Sequence, residues 1–527
     1  MGKSIGIPLP PPYKGQNDQL PVFALSNPYA EIIENLTTEN GVLNLRQGNS
    51  LFVTSSSSQI VQNLFSYDSN TLLMFVTDIG GAPGLKWYNI TSGVAILVNT
   101  LAYGGDDEIH TLYFNKYLFY FGESTLTPTG TGIPYWNGTA WGIAGYTGWS
   151  DTPLGGNVYK NRAYFIYRGT AKYAYSKINA ISGEVTNEDL SGIVSTNAFL
   201  YGIRSTSMSQ NVTQENVQCF IFNTGEILVY GGSYPNSGNW GIIGRFKISD
   251  MIYINSIVDA KGDSFLLTKT EILSLRNLFI GGYDKERVEG IGAVVKPRWS
   301  QIISVLLASD PSLAYFIKGT YQTSKDRLVI SLPKYVDRES ETIVERPFWL
   351  VYDFILGGWT EEFQDSRTDS TFTTQAFTAH SDVIYCGILD ETNVTSAVIS
   401  LKTKLNYIDD DAFDTGSESA ISFRCLSAPY PLSKYGVVTT LGIEVFLRSD
   451  IYSSLSWRLV GDLGAVSSSF QTIAAPNGSN ITKAFMNLGI ESNLVQLDFV
   501  GISSSSITGT QVLGSNLWIN PSGDLSR

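Results

Sequence analysis

Only two histidines, His110 and His380, occur in the 527 residues, and the three cysteines, Cys219, Cys386 and Cys425, lie far apart. Imidazole and thiolate are the side chains that most often hold zinc or copper or exchange a proton near neutral pH. Two imidazoles and three scattered thiols make neither a metal cluster nor a disulfide framework. Ser-His-Asp catalysis would need one of the two histidines, and no G-x-S-x-G elbow is present. His380 precedes Ser381 and Asp382 in what reads as a hairpin turn, so a solvated side chain is expected there. Gly2-Lys3-Ser4 repeats the end of a phosphate-binding loop without its first glycine or its preceding strand. The acidic runs Asp106-Asp107-Glu108 and Asp409-Asp410-Asp411 lack the D-x-D-x-D-G spacing that wraps calcium and read as solvated loops. The Asp-box repeat S-x-D-x-G-x-x-W is absent. The expectation is a protein with no catalytic residue, no cofactor-binding residue and no metal ligands, acting as a structural or interaction protein and not as an enzyme.

Charge narrows the partners. There are 48 acidic and 35 basic residues, a net charge of −13, which is poorly suited to holding nucleic acid by phosphate neutralisation. With 43% hydrophobic residues, 12% aromatics and 50 glycines, the chain can build a full core from short strands and many turns. No apolar run approaches the 18 residues of a spanning helix, and IISVLLA (Ile302 to Ala308) reads as strand-sized. MGKSIGIPLPPPYK lacks the apolar stretch of a signal peptide, so folding in a reducing cytosol is expected.

The elements that would position any site repeat along the chain. SYDSNTLLMFV from Ser66, LYFNKYLFYFG from Leu112 and VYKNRAYFIYRG from Val158 recur about every 46 residues. Looser copies follow: FNTGEILVYGG from Phe222, DAKGDSFLLTK from Asp259, SKDRLVISLP from Ser324 and AHSDVIYCG from Ala379. A second pattern follows them, with an aromatic or apolar flank, Asn or Asp, and Gly four residues on. It is seen at Asn89 and Gly93, at Asn179 and Gly183, and at Asp353 and Gly357; YWNGTAW (Tyr135 to Trp141) is a shorter version. Asn, Asp and Gly tolerate positive φ, and the flanks are β-branched and aromatic, so each pattern predicts a hairpin. Two hairpins per 40–50 residues predict β-propeller blades. The fold expected is all-β: a propeller of six or seven blades over residues 47–404, preceded by an arm (1–46) and followed by a β-sandwich-like domain (405–527). Trp359 and Tyr352, in FWLVYDFILGGWTEE, are expected to pack between blades.

The ends read differently. IGIPLPPPYKGQNDQLP is too Pro-rich for a helix or a ladder and predicts an extended strap along a neighbouring subunit. Asn27 to Thr37, around YAEIIENL, predicts a short helix, the one plausible helix of the chain. Near the C-terminus, Ile443/Val445/Leu447, Leu455/Trp457/Leu459 and Val495/Leu497/Phe499 alternate with mainly polar neighbours, as in half-buried antiparallel strands of a separate sandwich.

The first fifty residues carry a resemblance. Ala30, Ile33, Glu34, Asn35, Gly41, Leu43, Arg46 and Gly48, behind a Pro-rich arm, resemble the start of the tail nozzle proteins of short-tailed bacteriophages, also called packaged-DNA stabilisation or tail tubular proteins. Leu45 is an extra apolar residue inside that pattern. VYDFILGGWT and PYPLSKYGVVTTLGIEV resemble a late blade and the C-terminal module of the same family. The resemblance implies a homo-oligomer, six copies in a ring on a head-to-tail adaptor protein, with tail fibre or needle proteins attached and DNA passing through without specific binding. It places such a protein in the virion tail, assembled in the bacterial host cytoplasm, with no membrane insertion. The alternative from the residues alone is a glycan-binding propeller using Trp136, Trp141 and Trp149.

Overall fold

In the computed structural model, residues 5–521 are described apart from 20–28, 40–41, 56–58, 79–83, 103–109, 123–131, 211–212, 282–290, 364–371, 391–394, 402–407, 411–417, 433–437, 449–451, 474–480 and 504–510 and the single residues 10, 13, 47, 347, 465 and 493. The acidic run at 106–108 lies outside the described residues.

The hairpin residues form what their turn chemistry dictates. Asn115-Lys116, Lys160-Asn161, Lys261-Gly262 and Ser381-Asp382 are two-residue turns with φ positive at both positions, the geometry whose twist matches that of paired strands. Each joins the first two strands of a sheet. The result is an all-β propeller. Its four-stranded blades start at Gln59, His110, Pro153, Leu200, Lys318 and Phe372, and a three-stranded sheet (Ile257–Ala260, Asp263–Leu267, Ile272–Ser274) stands between the fourth and fifth. Contacts between sheets run largely through their first strands, from the sixth blade back to the first. FNTGEILVYGG departs from the expected alignment: its turn joins the second and third strands of the fourth blade, because Leu200–Gln210 and Thr213–Phe222 already form a longer hairpin before it.

The ring is closed by a strand from the other end of the chain. Strand β5 (Asn49–Thr54) pairs antiparallel with Thr395–Leu401 and is the fourth strand of the sixth blade. Aromatic residues fill the gaps between blades. Trp87 lies 5.3 Å from Tyr120 across the first and second blades, and Phe121 lies 6.1 Å from Phe165 across the second and third.

Two helical expectations are overturned. Residues Asn27 to Thr37 do not form a helix; Ala30–Glu34 is strand β2 and Leu36–Glu39 strand β3, split by Asn35 at φ 55°. IISVLLA lies instead in the helix Lys296–Ser309, which has Pro297 in its first turn. Trp299, Ile302, Ile303 and Leu306 are all buried, and their spacing is the stripe that places apolar residues on one helical face.

The arm is part of the body of its own chain. Strand β1 (Ile5–Leu9) pairs antiparallel with Gln511–Pro521, and Leu43 and Asn44 of β4 (Val42–Leu45) pair with that same strand. Strand β2 joins the facing sheet. Ile7, Ile33, Leu36 and Leu43 share one core with Trp457, Leu497, Phe499 and Leu517. The sandwich is therefore built from both ends of the chain, whereas the sequence suggested a separate C-terminal module and an arm reaching to a neighbour. The Leu494–Ser503 strand also departs from the half-buried expectation: Val495, Leu497 and Phe499 are buried, and so are Gln496 and Asp498 on the opposite face.

Candidate functional site

Strand β2 sits between two bodies. On one side Glu34 lies opposite Glu361 of the fifth blade's outer strand Gly358–Phe363, in parallel pairing. On the other side Glu34 lies opposite Arg424 of the sandwich strand Ser422–Ser427, in antiparallel pairing. One hydrogen-bonded sheet thus runs from blade five through β2 into the sandwich. Residues opposite each other in a sheet share a face, so a row of charges crosses the joint.

The row is balanced by arginines. Glu361 is fully buried, and its Oε1 accepts from Arg298 Nε at 3.2 Å, from Arg338 Nη2, and from Gln16 Nε2 at 3.3 Å. Arg298 comes from the Lys296–Ser309 helix and also donates to the Val336 carbonyl at 2.6 Å. Arg338 reaches Asp18 of the arm at 2.9 Å. Burial alone would raise the Glu361 carboxyl, but Arg298 and Arg338 outweigh it and hold the group down at about 2. Glu34 lacks such a clamp. Burial, then the charge of Glu361, push it up from 4.5 to about 7, against the pull of Arg338, Arg424 and Arg346. Further along, the fully buried Asp498 takes Arg424 at 3.2 Å and Arg458 at 2.9 Å from its two flanking strands.

Asn35 ties the backbone together at the same place. Its N–H donates to the Glu361 carbonyl at 2.7 Å, and its Nδ2 donates to the Ser422 carbonyl at 2.7 Å. Its Oδ1 accepts from the Phe363 N–H at 2.7 Å and from the buried Arg46 Nε at 3.0 Å. One side chain thereby links blade five, the sandwich and the segment that follows β4. Asn is suited to this because its short amide tolerates positive φ while donating and accepting.

The arm crosses the blade at the glycine pair of FWLVYDFILGGWTEE. Gln16 N–H donates to the Trp359 carbonyl at 2.8 Å. A Cβ on Gly358 would lie 2.2 Å from the Lys14 carbonyl oxygen, and one on Gly15 would lie 2.7 Å from the Trp359 backbone. The second glycine of the pair is therefore set by the arm's close approach, while Gly357, at φ 71°, serves the turn.

No family profile matches the chain, and no curated protein matches it. Solved structures that resemble it are β-propellers. They include the β-propeller domain of Cps50 (Swd1) from Myceliophteria thermophila, at 7% identity and TM-score 0.38 over 67% of this chain and 100% of that one. Raptor from Chaetomium thermophilum matches at 8% identity and TM-score 0.40, over 68% of this chain and 29% of its own. Sqt1 from Saccharomyces cerevisiae matches at 11% identity and TM-score 0.34, over 72% and 96%. These similarities concern the fold alone.

The residues singled out from sequence are distributed through the blades. His380 is buried, not solvated as expected; its Nδ1 lies 3.0 Å from the Ser66 hydroxyl of the first blade, and burial pulls it below the usual imidazole range. The three cysteines are buried on separate strands. Trp136 is buried between the first and second blades, Trp141 packs 4.3 Å from Trp87, and Trp149 packs 5.1 Å from Phe165. Trp136 and Trp141 stand opposite each other in one strand pair and pack in one core, whereas Trp149 packs against the next. Trp349 packs against Phe377 of the sixth blade, as inter-blade packing requires, whereas Trp359 packs with the core shared with the helix and donates its indole N–H to the Ile291 carbonyl. Sequence inspection missed the charge row entirely. By sequence Glu34 falls in a short predicted helix and Glu361 and Asp498 in separate hairpins or strands, and no local signal marks them and Arg424 as mutually facing.

Proposed function

We propose that this chain is a structural virion protein, the subunit of a ring-shaped tail nozzle that surrounds the DNA exit channel, extends the tail tube and helps to retain and then release packaged DNA. One observation carries the proposal. Six of the eight residues by which the sequence resembles that family, Ala30, Ile33, Glu34, Asn35, Leu43 and Arg46, lie at the joint between propeller and sandwich or in the sandwich core beside it. They form a mechanical part and no catalytic constellation. A tube wall confining DNA under pressure needs a joint that resists shear. A continuous sheet with a buried ionic row suits that need, since its groups are costly to separate. The net charge of −13 supports a surface past which DNA slides, because like charge opposes adhesion. In this proposal six copies form the ring, mounted on a head-to-tail adaptor protein and carrying fibre or needle proteins.

The test is the mass and symmetry of the purified full chain, alone and mixed with an adaptor ring from the same virion. A six-fold ring is expected, with negligible duplex DNA binding at ~150 mM salt, where phosphate neutralisation supplies most non-specific affinity. A chain that stays monomeric under both conditions, or that binds duplex tightly at that salt, overturns the proposal.

A further inference from the structure

We propose that the propeller's axial cavity is a binding site for a small oxyanion of the size of inorganic phosphate. The cavity, about 170 Å³, is walled mainly by the first strands of the first four blades, with Ile166 of the third blade's second strand, the connection at Ile254 and Asn255, and Ile257 of the short sheet completing it. It far exceeds the ~15 Å³ that admits a single water. In a chain of net charge −13, no Asp or Glu is among the described residues that line it, and Arg204 is the one permanently charged side chain among them.

Arg204 is held in place without being used up. Its Nη1 donates to the Ile203 carbonyl at 2.9 Å and its Nη2 to the Ile257 carbonyl at 3.4 Å, while Nε lies 3.3 Å from Asp259 Oδ1. A guanidinium carries five N–H donors, so each terminal nitrogen keeps a second one. The anchoring carbonyls fix its plane, which lowers the ordering cost of gripping an anion. Its carboxylate partner neutralises it weakly: the Asp259 side chain is 67% exposed, against 21% for Arg204, and solvent screens such a pair. Thr111 and Asn255 add polar atoms to the wall. Lys318 stands beside it, with Nζ held by the Gln62 and Gln375 carbonyls at 3.4 and 3.3 Å and lying 4.7 Å from the Tyr315 ring, itself in edge contact with His110 of the wall. A polar chamber with a guanidinium in its wall, inside an acidic protein, fits a compact anion accepting charge-assisted hydrogen bonds.

The test is calorimetric titration of the full chain with inorganic phosphate at constant ionic strength in chloride. One saturable site per chain is expected. Arg204→Gln should weaken it about tenfold or more, the loss of one charge-assisted contact. Asp259→Asn, an exposed change that leaves Arg204 in place, should tighten it about threefold by removing the competing negative charge. If Arg204→Gln does not fold, Asp259→Asn still decides. Absence of saturable binding to the unmodified chain, unchanged affinity in Arg204→Gln, or weaker binding in Asp259→Asn overturns the assignment.

Discussion

Replacing Glu34 by glutamine isolates a carboxyl of the joint that its neighbouring arginines do not fully neutralise. Burial and the adjacent Glu361 charge raise this group from 4.5 to about 7 in the folded chain. The folded state therefore holds the proton more tightly than the unfolded state does. The associated stability is fully present below pH 4.5 and is lost as pH rises through about 7. At about 1.4 kcal/mol per pH unit, the gap amounts to roughly 3 kcal/mol. Glutamine cannot ionise and keeps the shape. Glu34→Gln should thus match the unmodified chain at pH 4 and exceed it by up to about 3 kcal/mol at pH 8, the difference opening between those limits. Carboxyls far from position 34 titrate equally in both proteins and cancel in the comparison, and Glu361, held down at about 2, stays ionised across this range. Urea midpoints of the two chains at half-unit steps from pH 4 to 8.5, followed by tryptophan fluorescence, supply the measurement. Parallel curves with a constant offset, or a variant less stable at pH 8, would refute the reasoning and mean that Glu34 is ionised and paired with Arg424 throughout.

Glu361→Leu should destabilise the chain by about 3–5 kcal/mol, since it strands the buried Arg298 and the largely buried Arg338 without their carboxylate; denaturant unfolding reads this, and a cost below about 1 kcal/mol would count against the clamp. Gly358→Ala should lift the arm from blade five, because the added methyl would lie 2.2 Å from the Lys14 carbonyl oxygen; hydrogen exchange should rise at Gln16 and Asn17 and stay unchanged in the second and third blades. A chain beginning at Asn40 should keep its propeller, which β5 still closes, but lose the sandwich, from which β1, β2 and β3 are missing. Limited proteolysis should then leave a stable fragment of about the propeller's size, and equal protection of the sandwich would contradict this.

What was legible in the sequence was local. Asn115-Lys116 and Ser381-Asp382 mark turns through their own backbone preferences, so the hairpins, and from their recurrence the blades, could be read directly. The helix at Lys296–Ser309 was also legible in principle, through Pro297 and the spacing of Trp299, Ile302, Ile303 and Leu306, but its apolar run is short enough to pass for a strand. YAEIIENL misled for the opposite reason. Its residues have fair helix propensity, yet Ile32 and Ile33 are drawn into pairing with Ser422–Ser427, nearly 400 positions away. The buried face holding Asp498 was illegible because the neutralising arginines come from other strands. Alternation marks two faces, but only the full sheet arrangement decides whether the polar one meets water.

Strand β5 carries a consequence for how the protein is made. Ser55, just past its end, bonds to the Ser396 carbonyl across a separation of 341 residues. At ~5–20 residues per second, a ribosome takes roughly 20–70 s to traverse that interval. Throughout that time the strand has no partner, and the sixth blade has no outer edge. The nascent chain must therefore carry an unpaired, partly apolar strand while five blades are completed, a state open to mispairing with another chain on the same message. Polypeptides shortened anywhere before Thr395 never acquire the closing ladder, so unfinished products are left as open, protease-sensitive sheets.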